Sequence, residues 1–158
     1  VCTYQRNRLF GEIQNNDMIL NSLGAIVLEQ WEQTGILRDY VTLDAFVIMP
    51  NHIHGIIVIV RENDTDTEHG RGMMHHAPTP QREFSKPIAK SLSTIIGAFK
   101  AGVTRHINRL PNSPDHPIWQ RNFYEHIIRN EADLNRIRAY IQHNPTCWEM
   151  DSLYETES

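Results

Sequence analysis

Two histidines one residue apart, His52 and His54, sit in the apolar run "VIMPNHIHGIIVIV", residues 47–60. Side chains along a strand alternate faces, so positions i and i+2 point the same way. Both imidazoles therefore leave one face of a rigid strand, which makes half of a metal site. The end of the chain can supply more. In "NEADLNRIRAYIQHN", residues 130–144, Tyr140 and Asn144 are four apart and lie one above the other on a helix. Asn144 offers a carbonyl oxygen to an ion, and Tyr140 offers a phenol to whatever that ion holds. Arg136, one turn earlier on the same row, can hold a phosphate. Taken alone, each has a simpler reading. Tyr140 is then a half-buried helix tyrosine, Asn144 a cap before Pro145, and the histidines ordinary core or surface groups.

These residues depend on the elements that carry them. "VCTY" reads as a strand end, and residues 17–34 as a helix with Asp17 as N-cap and Gly35 as stop. "YVTLDAFVIM" is strand-like, Pro50-Asn51 turns the chain, and "HIHGIIVIV" returns as a central partner strand, apolar on both faces. Residues 62–87 are polar and rich in Asp, His, Gly and Pro, a long mobile loop whose His75-His76 pair reads as solvated. A helix follows over 88–109, with Leu92, Ile95, Ile96, Phe99 and Val103 inward. "PIWQRNFYEHII" reads as a fourth strand, and Pro145 stops the last helix, whose Leu134, Ile137 and Ile141 form its packing stripe. The order β-α-β-β-α-β plus a helix predicts an α+β fold. Its core is ferredoxin-like or RRM-like, with an antiparallel sheet, in one domain over 1–158.

Composition excludes several classes. At 158 residues the chain can bury a real core, and no stretch has the unbroken apolar length of a membrane span. Two cysteines, Cys2 and Cys147, fit neither a zinc spacing nor a disulfide framework, so a cytoplasmic setting is expected. The net charge is −4, unfavourable for binding nucleic acid, but it is unevenly spread. Residues 81–145 hold ten Lys and Arg against five Asp and Glu, a balance of +5 that leaves −9 elsewhere. A basic segment in an acidic chain is compatible with a polyanionic partner.

"MPNHIHGIIVI" resembles the histidine–hydrophobic–histidine motif of the HUH nucleases. "WQRNFYEHIIRNEADLNRIRAYIQHNP" resembles the C-terminal block of their single-tyrosine transposases, closest to the REP-associated tyrosine transposases. The likeness covers most of Val1 to Trp148 outside residues 62–87. It implies an enzyme that cleaves and rejoins single-stranded DNA beside a hairpin, through a 5′-phosphotyrosine, in the nucleoid. Carried over by motif, His52, His54 and Asn144 would hold a divalent ion, Mg²⁺ or Mn²⁺, and Tyr140 would be the nucleophile. Trp119, Arg121, Phe123, His126 and Arg129 match the subgroup's W-Q-R-x-F-x-x-H-x-x-R pattern. With Arg136, Arg121 and Arg129 become the candidates for DNA contacts. Related enzymes occur both as homodimers and as monomers.

Other readings compete. A metal-dependent hydrolase of a small molecule would use the same histidines and want a carboxylate, for which Asp44 on the neighbouring strand is a candidate. A binding module without catalysis would show exposed aromatics on its central strands, and "HIHGIIVIV" has none. A domesticated, inactive nucleic-acid-binding relative would keep the motifs without the reaction. Tyr124 is the rival nucleophile, because strand alternation pairs it with His126.

Overall fold

The computed structural model describes residues 1–60 and 90–154; the expected loop and its His75-His76 pair lie outside them. The fold is α+β, as expected. Strands β1 (Gly11–Gln14) and β2 (Asp17–Leu20) form a hairpin. Helix α1 (Ser22–Ile36) leads to the antiparallel pair β3 (Val41–Met49) and β4 (His52–Ile59). Helices α2 (Leu92–Ile107) and α3 (Glu131–His143) follow, and a 3₁₀ turn, Pro145–Met150, continues from α3.

The hairpin corrects the sequence reading, which began a helix at Asp17. Asn15 and Asn16 both have positive φ, 51° and 69°. A two-residue turn of this hand matches the twist of a hairpin, and asparagine tolerates it. The helix cap is Asn21, whose side chain accepts from the N–H groups of Leu23 and Gly24 at 2.9 and 3.0 Å. Gly35 lies inside the last turn of α1 rather than beyond it.

The sheet is wider than its two long strands. Ile53 N–H donates to Val1 O at 2.9 Å, and Thr3 N–H donates to Asn51 O at 2.9 Å. On the other side of this segment, Gln120 N–H donates to Cys2 O at 3.0 Å and Tyr4 N–H to Ile118 O at 2.9 Å. The backbone order across the sheet is thus 118–120, 1–3, β4, β3. The expected fourth strand shrinks to the stretch around Trp119. Residues 122–129 form no regular element, and their Tyr124 and Ile127 are exposed.

The core lies on one face. Phe10, Val27, Trp31, Ile48, Ile53, Phe99 and Trp119 pack between the sheet and helices α1 and α2. Ile53 points into this layer, so alternation sends His52 and His54 to the opposite face. Gly55 makes the close approach possible: a Cβ there would stand 2.6 Å from the Trp31 ring. Helix α3 packs on β3. Its anchor is Arg138, which binds Asp44 at 3.0 Å through Nε and 2.5 Å through Nη2. Asp44 sits where the β3–β4 register shifts between Leu43 and Phe46, and such a bulge re-aims a side chain.

Candidate metal centre

Three elements converge on the histidine face. β4 brings His52 and His54, whose rings meet edge-on with centroids 4.7 Å apart. α3 brings Tyr140, whose ring meets His54 edge-on at 5.2 Å. Asn144, at the C-cap of α3, is buried. The segment after the 3₁₀ turn brings Asp151, whose side chain is 5% exposed and whose Oδ2 lies 3.9 Å from His52 Nε2.

The donor set fits a cation. Among the described residues, four buried side-chain N or O atoms lack a hydrogen-bond partner. Three of them are His52 Nε2, His54 Nε2 and Asn144 Oδ1; the fourth, Trp119 Nε1, belongs to the core layer. Burying such atoms unpaired costs free energy, so their gathering asks for a partner. The partner's sign follows from tautomers. His52 Nδ1–H donates to Asn51 Oδ1 at 2.8 Å, since an amide oxygen only accepts. Nε2 of neutral His52 is then a lone pair, and it faces the Asp151 carboxylate, another acceptor. Ligand atoms of His52, His54 and Asp151 all lie within 4.8 Å of one another, a span a divalent ion can close.

Burial favours neutral imidazoles. It pushes His52 down to about 3, with the His54 charge adding to the effect and Asp151 and Asn144 opposing. Burial likewise pushes His54 down to about 4, aided by the N-terminal amine and opposed by Asp151. Both rings are therefore already in the metal-binding form at neutral pH, and ion uptake releases no proton from them. An unfolded chain takes up protons near ~6.5. The metal-free fold accordingly loses stability as pH falls from ~6.5 toward the depressed values, by up to ~1.4 kcal/mol per pH unit for each histidine. Thermal melts of metal-free protein at fixed ionic strength should show the midpoint falling from pH 6.5 to pH 4. Above pH 7.5 the histidines add no slope. A midpoint flat across pH 4–6.5 would contradict this burial.

Asn51 holds the arrangement together. It is 1% exposed. Its Oδ1 accepts from His52 Nδ1–H, its Nδ2 donates to Leu153 O at 2.8 Å, and its carbonyl accepts from Thr3. One side chain fixes both the tautomer of His52 and the turn beside Asp151. Outer partners of this kind typically contribute 10–100-fold in metal affinity. Asn51→Ala should weaken Mn²⁺ binding by about that factor in calorimetric titration, and an unchanged affinity would make Asn51 a turn residue only.

The structure therefore brings His52, His54, Tyr140 and Asn144 together. It does not bring the arginines with them. Arg136 is tied to Asp133 at 2.6 Å, which also binds His126 at 2.8 Å. Arg121 and Arg129 are exposed on the segment leading into α3. Tyr124, the rival nucleophile, is 87% exposed, and its expected partner His126 is engaged by Asp133. His143 is spoken for by the Ala139 carbonyl at 2.7 Å. Asp44, the carboxylate expected for a hydrolase, anchors α3 through Arg138 instead. Sequence reasoning missed Asp151 and the role of Asn51. The available signal for Asp151 was its place as the first aspartate beyond the Asn-Pro stop, seven residues after Asn144.

Tyr140 is half exposed, and burial holds its hydroxyl above the ordinary phenol range, with the Asp151 charge adding and the Asn144 side chain opposing. The free phenol is protonated at neutral pH. Among known proteins, one of Haemophilus influenzae, described as an uncharacterized protein, is 41% identical over 157 residues, spanning 98% of this chain and 82% of its own length. No family model matches the sequence, and no solved structure matches it.

Proposed function

This chain belongs to one family with the Haemophilus influenzae protein, and we propose that it is a single-stranded DNA transposase of the HUH type. It cleaves and rejoins strands beside a hairpin through a 5′-phosphotyrosine. One observation carries the reading: three buried, unpartnered lone-pair atoms of His52, His54 and Asn144 gather where the Tyr140 ring meets His54. The sheet order 118–120, 1–3, β4, β3 supports a ferredoxin-like core with the hairpin inserted before its first helix.

His52, His54 and Asp151 would hold the ion, with Asn144 as a further oxygen ligand. A mixed imidazole and oxygen set suits Mn²⁺ or Mg²⁺. A bound ion supplies neutralisation and orientation of the scissile phosphate. Tyr140 Oη attacks phosphorus in line, the P–O3′ bond breaks, and the 3′-hydroxyl leaves with a proton from water. The phenol proton goes to solvent, to which the half-exposed Tyr140 opens. A phosphodiester replaces a phosphodiester, so strand transfer runs the same step in reverse without ATP. The active protein is cytoplasmic, at the nucleoid, as a monomer or homodimer.

A metal-dependent hydrolase of a small molecule is the second reading, favoured by the Asp151 carboxylate. One experiment separates the two. End-labelled, hairpin-tailed single-stranded DNA with Mn²⁺ should give a denaturation-resistant adduct with the protein. Metal-dependent hydrolysis of phosphoesters without any adduct would favour the second reading.

A further inference from the structure

The segment 118–120 ends the sheet on one side, and among the described residues no strand lies beyond it. Trp119 faces Thr3 in a bridge whose bonds are made by the neighbours, from Gln120 N–H to Cys2 O and from Tyr4 N–H to Ile118 O. At such a position of an antiparallel pair, a residue turns its own N–H and C=O away from the partner strand. Both backbone groups of Trp119 therefore point to the open edge, and neither has a hydrogen-bond partner among the described residues. The edge is short as well as open. Pro117 has no N–H, and its carbonyl accepts from His116 Nδ1–H at 2.9 Å. Between residues 117–119 and the C-terminal half of α2 runs a groove of about 460 Å³. Its size falls within the roughly 300–1,000 Å³ of ligand sites. Ala101 and Thr104 on its helical wall are small, so an incoming chain can approach α2 closely. Lys100 and Arg105 line it, with no carboxylate among the described residues. Lys100 is occupied: its Nζ donates to the carbonyls of Gln120 and Arg121, which pins the edge segment to α2. Arg105 is exposed and has no ion-pair partner among the described residues.

A donor and an acceptor on one edge residue select a ligand that returns the converse pair. An extended peptide does so at every second residue. A phosphodiester backbone carries acceptors only and has no donor for the Trp119 carbonyl. The charge of the groove adds a second requirement. A basic or neutral segment would leave Arg105 without a partner, whereas a carboxylate would meet it in a charge-assisted hydrogen bond. We propose that this groove binds an extended acidic peptide segment of a partner protein. The segment adds one strand to the sheet at Trp119 and sets an Asp or Glu side chain against Arg105. Since α2 packs on the core face and the histidines project from the opposite one, the site is independent of the metal centre and of any reaction there.

The test uses the intact chain labelled with ¹⁵N-tryptophan and ¹³C-carbonyl isoleucine. Ile-Trp occurs once in the sequence, at Ile118-Trp119, so the bonded label pair reports the Trp119 amide alone in a carbonyl-filtered NMR spectrum. The probe is acetyl-Glu-Val-Glu-Val-Glu-amide. Its controls are the same peptide with Lys for Glu, the same peptide N-methylated at every residue, and an octamer of thymidylate. The Trp119 amide should shift saturably with the acidic peptide and little with any control. Full N-methylation keeps the charges but removes every donor for the Trp119 carbonyl. Arg105→Ala should weaken the response about tenfold, the worth of a hydrogen bond to a charged group. No Trp119 shift, or an equal shift with the basic or the N-methylated peptide, would overturn the proposal. An equal or larger shift with the thymidylate octamer would make the groove a nucleic-acid surface and overturn it too. A shift on concentrating the protein alone would give the edge to a second copy, against the proposal.

Discussion

Tyr140→Phe should abolish the covalent DNA adduct and lower cleavage at least ~10³-fold, because no other group can replace a missing nucleophile. The substitution removes one oxygen. The ring keeps its edge-on contact with His54, and the hydroxyl belongs to a half-exposed side chain, so no buried partner is orphaned. Fold, Mn²⁺ uptake and DNA binding should persist. Preorganisation explains the choice of this tyrosine among five. Tyr140 and Asn144 ride on one rigid helix, which Arg138 fastens to β3, so attacking group and ligand move together. Tyr124→Phe should leave cleavage intact. Peptide mapping decides: a nucleotide found on Tyr124, or robust cleavage by the Tyr140→Phe protein, would overturn the assignment.

The double substitution His52→Ala, His54→Ala should remove divalent-ion binding altogether. Each histidine contributes a lone pair that has no other use in the fold. In the intact protein, Mn²⁺ at a hundred times its dissociation constant should stabilise the fold by ~2.7 kcal/mol. The double variant should show no such gain, whatever its own melting point. Asp151→Asn keeps the shape and an oxygen but removes the charge, so it should weaken Mn²⁺ by about 10–100-fold. Binding that survives the double substitution would place the ion elsewhere.

The legible part of the site was the part carried by periodicity. His52 and His54 follow from the strand period, and Tyr140 with Asn144 from the helical one. Asp151 sits beyond the 3₁₀ turn, where no period relates one residue to the next. Asn51 acts through side-chain hydrogen bonds to positions distant in sequence, which composition does not encode. The hairpin was hidden because its strands are four residues each, too short for alternation to outweigh an adjoining helical pattern. The alternating "NFYEHII" stretch shows the opposite failure. A strand needs a neighbour to pair with, and past Trp119 the chain finds none among the described residues, so Tyr124 and Ile127 face water.

The hydrogen bond from Asn51 to Leu153 joins positions 102 residues apart. Its consequence falls on biosynthesis. A ribosome-bound chain that has delivered β4 carries both histidines but has yet to receive Asn144, Asp151 and the tyrosine helix. Asp151, which joins the two histidines in the candidate ligand set, emerges well after both of them. A polypeptide released after Trp119 but before Asp151 carries every residue of the core layer and still lacks the carboxylate. Competence to hold an ion at this candidate site would thereby be withheld until Asp151 has been translated and has met the histidines.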